Sequence, residues 1–308
     1  MGNIQAISTS DRKGIQKTNV NSAELRVEHG IVGDAHAGNW HRQVSLLAQE
    51  SIDKIVAKGL DVKSGDFAEN ITTLGVELPT VPVGSRLLLG GTELIVSQIG
   101  KVCHHRCAIY NKAGDCVMPR EGIFGVVVKP GEIKVGDSVS IEPKEGFSVG
   151  IITLSDRASL GVYEDKTAPE IERVLNESMK CSFIRKELLP DEQKRLEMTL
   201  IDFADIQKFD LIITNGSTGV SPRDIAPDAI LNIINRRLEG FEEHMRAESV
   251  KKTIHAIISR AVCGIRGGSL IISLPGSPKA AVENLQSIIE AIPHTIDKLH
   301  GDPSECGR

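Results

Sequence analysis

The chain has 308 residues, of which 40% are hydrophobic and 25% charged, and it carries a net charge of −5. That length accommodates two ordinary domains, and the acidic balance gives no electrostatic footprint for nucleic acid or an anionic membrane surface. No apolar run approaches the ~20 residues of a membrane span, and the opening "MGNIQAISTSDRKG" lacks the apolar core of a signal peptide, so a cytoplasmic protein is expected.

From the N-terminus, short β-rich runs are separated by turns. "RLLLGGTELIVSQIG" and "GIFGVVVKPGEIKVGDSVSIE" place "GG", "PGE" and "VGD" between strands. This pattern predicts a mostly-β, barrel-like domain over residues 1–143. One helix is predicted around "LLAQESIDKIVAKG", where apolar residues recur at helical spacing and Gly59 marks the stop. Of the six cysteines, Cys103, Cys107 and Cys116 lie together, whereas Cys181, Cys263 and Cys306 are scattered. In a reducing compartment such a cluster points to metal binding or catalysis rather than to disulfides. Cys181 and Cys263, beside apolar segments, read as small core residues.

The texture changes between Ile141 and Ser148. Over residues 147–308 the strands "VGIITLS", "SFIRKELL", "DLIITN" and "GSLIISL" alternate with the helices "APEIERVLNES", "DEQKRLEMTLIDFAD", "PDAILNIINRR" and "KAAVENLQSIIEAI". Continuous apolar strands between amphipathic helices predict an α/β three-layer domain with a mainly parallel sheet. In such a sheet ligands bind beyond the carboxyl ends of the strands. The residues that follow each strand are therefore the candidates: Asp156, Arg157 and Ser159 after the first, and Asp191 and Glu192 after the second. Gly216, Ser217, Thr218 and Gly219, with Arg223 and Asp224, follow the third, and Pro275, Gly276, Ser277 and Lys279 follow the fourth.

The last two stretches each join a strand to a helix N-terminus, where exposed N–H groups and the helix dipole favour phosphate. Their glycines let the backbone come close; Ser217, Thr218 and Ser277 add hydroxyl donors, and Lys279 a point charge. Glycine turns with solvated caps are the plain alternative for either loop alone, but two on one edge favour a ligand. Carboxylates repel phosphates, so Asp156, Asp191 and Asp224 beside such loops need a cation between. Mg²⁺, held by one or two carboxylates plus substrate phosphates, meets that need. The absence of a GxxxxGK[ST] motif disfavours an ordinary P-loop enzyme. From the residues alone, this half is a Mg²⁺-dependent phosphate-ester or nucleotide site.

Four motifs in order, "ITLSDRASLGVYEDKTAPEI", "LLPDEQ", "TNGSTGVSPRDIAPDA" and "LIISLPGSPKAAVENL", make this half resemble the molybdopterin adenylyltransferase (MogA/MoaB-like) family, shared with the G domains of gephyrin and plant Cnx proteins. The likeness runs from about Phe147 to Gly301. It implies a nucleotidyltransferase that moves AMP from ATP, its co-substrate, to the terminal phosphate of molybdopterin and releases pyrophosphate. It places the Asp of the PDEQ motif on Asp191 and that of the RD motif on Asp224, both near Mg²⁺ and the reacting phosphates. The glycine loop would hold the pterin and its phosphate, with Asp156 and Ser159 alongside. A homo-oligomer, trimer or hexamer, is implied as well. Two departures stand out: the usual TTGGTG is "TNGSTG" here, with Asn215 and Ser217, and Ala226 replaces the usual Thr before the Pro, removing an N-cap worth ~1 kcal/mol.

The stretches "EHGIVGDAHAGNWHRQVSLL", "GDFAENITT", "VGSRLLLG" and "HHRCAIYNKAGDCVMPREGIFGVVVKPGEIKVGD" make the first half resemble a MOSC domain. That family's functional cysteine, a sulfur carrier or molybdenum ligand, falls on Cys107, and the neighbouring His104, His105 and Arg106 would favour its thiolate. Cys103 and Cys116 compete for the role. A structural zinc site and inert buried thiols are the rival readings, although the C-x₃-C-x₈-C spacing lacks CxxC knuckles. His36, His41, Arg42 and Asn70 could form a polar pocket for the pterin phosphate. Together the halves read as a bifunctional molybdenum or tungsten cofactor protein. Its expected partners are molybdopterin, ATP, molybdate or tungstate, and downstream molybdenum or tungsten enzymes. The alternative is a non-catalytic molybdopterin carrier or metal-insertion scaffold.

Overall fold

The computed structural model describes residues 2–101, 110, 114 and 116–304. Its chain divides into two compact units, Met1–Lys144 and Glu145–Arg308. Among the described residues no helix is long and apolar enough to cross a membrane.

The N-terminal unit runs through β1 (Gly2–Thr9), β2 (Thr18–Val20), β3 (Ser22–Arg26), β4 (Gly30–Ile31), β5 (Val44–Ala48), α1 (Gln49–Val56), β6 (Ile71–Leu74), β7 (Arg86–Leu89), β8 (Thr92–Ile99), α2 (Met118–Glu121), β9 (Ile123–Lys129), β10 (Gly131–Lys134) and β11 (Ser138–Glu142). The strand order β11-β7-β8-β9-β5-β6-β1 closes into a barrel because β11 also pairs with β1, with Gly2 opposite Val139. Every neighbouring pair in that ring is antiparallel except β5 and β6. Closure removes the exposed edges of an open sheet. Alternate residues fill the interior, as Val44 and Leu46, Leu87 and Leu89, and Leu94 and Val96 show. The helix predicted from Leu46 begins at Gln49 instead, because Leu46, Leu47 and Ala48 belong to β5. All five residues of β5 are buried, and a continuous apolar run carries no period that separates strand from helix.

The C-terminal unit runs through β12 (Phe147–Leu154), α3 (Asp156–Ser159), α4 (Thr167–Ser178), β13 (Cys181–Leu189), α5 (Gln193–Ile201), β14 (Leu211–Asn215), α6 (Ala226–Ile233), β15 (Arg236–Arg237), α7 (Glu239–Val250), β16 (Cys263–Arg266), β17 (Ser269–Leu274), α8 (Pro278–Ile288) and α9 (Ala291–Leu299). The sheet order is β13-β12-β14-β17-β16-β15. The first four strands are parallel, and β16 and β15 extend the sheet antiparallel. Val149, Ile151, Leu211, Ile213, Leu270 and Ile272 share a core with Ile171 and Leu175 of α4, Leu285 and Ile288 of α8, and Ile292 and Ile296 of α9. Gly150 leaves room on β12 for Phe203, since a Cβ there would lie 2.4 Å from its ring. Phe203 in turn packs at a tilt against Phe209, the ring centres 4.9 Å apart.

Two expected helices end differently. The stretch "DEQKRLEMTLIDFAD" is α-helical only to Ile201 and then widens into a π-helical turn over Asp202–Ile206. The helix expected through Arg237 stops at Ile233. The Asn235 N–H donates to the Ile265 carbonyl at 2.7 Å, and Arg236 and Arg237 pair with β16.

Candidate functional site

The four parallel strands deliver their following loops to one edge, and a cavity of about 790 Å³ opens there. Asp191, Gly216, Ser217, Arg223, Asp224 and Gly276 all line it. Asp156 stands behind Asp191, and the two clasp each other. The Asp191 N–H donates to Asp156 Oδ1 at 3.0 Å, and the Asp156 N–H donates to Asp191 Oδ2 at 3.1 Å. Arg223 Nε donates to Asp156 Oδ2 at 3.1 Å, with Nη2 on the same oxygen. The Arg223 guanidinium, helped by the Asp191 amide, holds the Asp156 carboxyl below the usual carboxylate range. Ser159 closes the short α3 turn by donating its hydroxyl to the Asp156 carbonyl at 2.8 Å.

The glycine loops meet directly. Gly216 sits at φ +95°, where a Cβ would lie 2.5 Å from the Leu154 carbonyl oxygen, and a Cβ on Gly276 would lie 3.1 Å from the Gly216 Cα. No larger residue fits at Gly216 without displacing backbone. Ser217 is also left-handed, at φ +58°. Its hydroxyl donates to the Arg223 carbonyl at 2.9 Å and accepts from the Ile225 N–H at 2.8 Å, while its carbonyl accepts from the Ala226 N–H at 3.1 Å. The hydroxyl of Ser217 is thus engaged within the loop, where the sequence reading had it facing a ligand. The same contacts correct the expectation of a lost cap at Ala226. Residue 226 is the first of α6, inside the helix, and Ser217 accepts the N–H groups of Ile225 and Ala226 at that end.

Asn215 is buried. Its Nδ2 donates to Thr153 Oγ1 at 2.9 Å, and the Thr153 hydroxyl donates to Asp165 Oδ2 at 2.6 Å. Asp165 Oδ1 accepts the N–H groups of Thr167 and Ala168 at 2.8 and 3.2 Å, and the Thr167 hydroxyl donates to the Gly276 carbonyl at 2.8 Å. A chain of side chains thus ties the end of β14 to the second glycine loop. Ser277 caps α8, accepting from the Ala280 N–H at 3.3 Å.

Other expected residues fall outside the main cavity. Thr218, Gly219 and Pro275 line a smaller one of about 290 Å³, together with Met245, Arg246 and Ser249. Lys279 lines a third, of about 680 Å³, which shares Glu164, Asp165, Lys166 and Pro278 with the main cavity. Sequence reasoning missed Thr153, Tyr163, Asp165 and Arg260. For Asp165 a signal existed: an acidic residue just ahead of "TAPEI" is a helix-start pattern. For Arg260 there was none.

In the N-terminal unit a cavity of about 60 Å³ is lined by His36, Arg42 and Asn70 with Trp40, Lys101 and Phe124. His41 does not line it and bonds Gln98 at 2.9 Å instead. Asn70 is engaged: Oδ1 accepts from the Ser45 N–H at 3.1 Å, and Nδ2 donates to the Ser8 carbonyl at 3.2 Å. The Arg42 guanidinium lies 4.7 Å from the Trp40 ring centre. Beneath it, the buried Asp34 carboxylate accepts from Lys17 Nζ and, at 2.9 Å, from the His36 N–H. Burial alone would raise the Asp34 pKa, but bonds from His36 and Lys17 prevail and hold the carboxyl low. Cys107, with Cys103, lies outside the described residues. Cys116 is buried in a cluster with Leu47, Ile52 and Met118.

Comparison with known proteins agrees with this division. A family model described as a probable molybdopterin binding domain matches residues 150–294, and one described as a MOSC domain matches residues 33–140. The molybdopterin adenylyltransferase of Helicobacter pylori strain J99 is 41% identical over 155 residues, covering 50% of this chain and 88% of that protein. The chain belongs to the molybdopterin adenylyltransferase family. Another molybdopterin adenylyltransferase, from Escherichia coli K12, is 40% identical over 154 residues, 50% of this chain and 78% of that protein. Gephyrin from Dictyostelium discoideum is 37% identical over 183 residues, 56% of this chain, but the chain spans only 25% of that protein's length. Among solved structures, the molybdopterin biosynthesis enzyme MoaB from Thermus is 39% identical, with a TM-score of 0.48, covering 52% of this chain and 99% of that one.

Proposed function

We propose that the C-terminal unit transfers AMP from ATP to the phosphate of molybdopterin. A phosphate oxygen of the pterin attacks the α-phosphorus, the bond to the β-phosphate oxygen breaks, and pyrophosphate leaves. The observation that carries the reading is the main cavity, where two glycine loops, Arg223, Asp191 and Asp224 converge at one sheet edge. Such a reaction needs positioning and neutralisation of charge rather than a covalent nucleophile. The glycine loop parts two cavities of different character. The smaller one, lined by Met245, Ala256, Ile258 and Pro275 with Ser249 and Arg246, suits a heterocycle; the larger, with its carboxylates and Arg223, suits phosphates.

The residues fit Mg²⁺ only with help. Among the described residues no group of three or more His, Cys, Asp or Glu forms a cage. Asp191 and Asp224 each have one carboxylate oxygen engaged by a backbone N–H, from Asp156 and Ser221 respectively. They would hold the ion jointly with substrate phosphates and water, as Mg²⁺ prefers. When bound, the ion supplies charge neutralisation at the transferring phosphates.

Pyrophosphate release with ATP, Mg²⁺ and molybdopterin tests the reading. Asp224→Ala should lower the rate by about 10²–10³-fold, the scale of losing one electrostatic stabiliser, while pterin still binds. A wild type that binds the pterin without releasing pyrophosphate would instead make the protein a carrier. For the N-terminal unit we propose Cys107 as sulfur carrier or molybdenum ligand. Cys107→Ser should abolish persulfide or metal retention, whereas Cys116→Ser, in the core, should spare it. Self-association, implied by the resemblance, would cover the exposed Ile254 and Ile257 and can be read by light scattering.

A further inference from the structure

The excursion from Gly219 to Asp224 carries Arg223 and Asp224 to the main cavity, and one side chain holds it from behind. Arg260 Nε donates to the Gly219 carbonyl at 2.7 Å, and Nη2 donates to the Asp224 carbonyl at 2.6 Å. Nη1 lies 3.2–3.3 Å from both carboxylate oxygens of Asp228, on the first turn of α6. The Arg260 N–H adds a bond to the Thr218 carbonyl at 2.9 Å. The two ends of the excursion therefore close on a single guanidinium.

We propose that Arg260 is the positioning residue that sets Asp224 and Arg223 for phosphoryl chemistry; the assignment rests on the AMP-transfer reading above. The contacts inside the excursion cannot do this alone. Ser221 N–H to Asp224 Oδ2 at 2.7 Å and Asp224 N–H to the Ser221 carbonyl at 2.9 Å shape the turn, but they move with it. Arg260, immediately ahead of the β16 region, bonds both ends of the turn at once, whereas the Ser217 hydroxyl on the Arg223 carbonyl and the Arg223–Asp156 pair each reach a single residue of it. Its planar fork meets two carbonyls and a carboxylate at once, which the point charge of a lysine cannot do. Arg260 does not line the main cavity, so its action is through Asp224 and Arg223 rather than on substrate. Asp228 accounts for its charge, leaving its remaining donors to the two carbonyls.

The test uses the full chain, with Arg260→Ala and Arg260→Lys. Pyrophosphate release should fall about 10–100-fold in Arg260→Ala, as expected when aligned electrostatic groups are misplaced. Arg260→Lys should recover little of it. The side chain is 38% exposed, so millimolar guanidinium should enter the vacated space and restore activity several-fold in Arg260→Ala but not in Asp224→Ala. A variant that had merely lost fold stability would gain nothing from guanidinium, a denaturant. The second readout needs no activity: amide hydrogen exchange at Ser221, Asp224 and Ala226 should quicken at least ~10-fold in Arg260→Ala, with distant core amides unchanged. Unaltered exchange, or wild-type turnover in Arg260→Ala, overturns the assignment. A wild type that transfers no AMP overturns the activity instead, and the exchange comparison still decides what Arg260 holds.

Discussion

In the C-terminal unit the four parallel strands end on the same side, so Asp191, Asp224 and Gly276, far apart in sequence, line one cavity. In the N-terminal unit the barrel closes antiparallel pairs on themselves, and successive turns fall at opposite ends. There the polar residues near the small cavity serve one another: Asn70 ties β6 to β5 and β1, and Asp34 holds Lys17. A parallel sheet collects functional groups by topology alone, whereas a barrel must hold its polar interior with internal partners.

That contrast makes the largest predicted effect a loss of stability in the barrel. The side chains of Lys17 and Asp34 are each 1% exposed, and removing one partner of such a pair costs about 3–5 kcal/mol. Asp34→Asn should therefore lower the urea midpoint followed through Trp40, the only tryptophan in the chain. A shift worth less than ~1 kcal/mol would place the pair among ordinary surface bridges and break the comparison. The next effect lies in the sheet edge. Gly216→Ala should destabilise by about 1–3 kcal/mol, the cost of strained backbone. Gly276→Ala, whose Cβ would come no closer than 3.1 Å, to the Gly216 Cα, should cost less. Equal losses in equilibrium unfolding would contradict the difference in geometry.

The smallest effect concerns Asp156. Its folded pKa is lowered, so its pairing with Arg223 is complete above the usual carboxylate range and is lost as pH falls through the lowered value. The carboxyl carbon of Asp156, followed by NMR, should titrate below an unpaired aspartate and return toward it in Arg223→Gln. An ordinary midpoint in the wild type would mean the pair does not persist in solution.

The parallel strands β12, β14 and β17 could be read from the sequence because each is a mostly apolar, buried run, and the edge strand β13, with Arg185, Lys186 and Glu187, because it fits the alternation of strand and helix. The resemblance of the C-terminal half to the molybdopterin adenylyltransferase family was equally plain, since motifs such as "LLPDEQ" and "PGSPKA" keep their order. The antiparallel β15 and β16 were missed: Arg236–Arg237 is too short to carry a period, and it looked like the end of α6. Leu46–Ala48 had the opposite problem, being so uniformly apolar that strand and helix were indistinguishable. Arg260 left no trace because it bonds carbonyl oxygens, which every residue has. Ser217 was read as a ligand donor because a hydroxyl in a glycine loop suggests one; only the fold shows it bonded to the Arg223 carbonyl and the Ile225 amide.

The contact between Gly216 and Gly276 fixes one wall of the main cavity. With only hydrogen atoms between them, the two loops cannot approach further, and each blocks the other's inward swing. Adjustment to ligands of different size must then come from the rest of the lining, where Tyr163 is 46% exposed. The cavity resembles a vice with one fixed jaw, and substrate range should respond to changes in the free jaw long before it responds to the glycines.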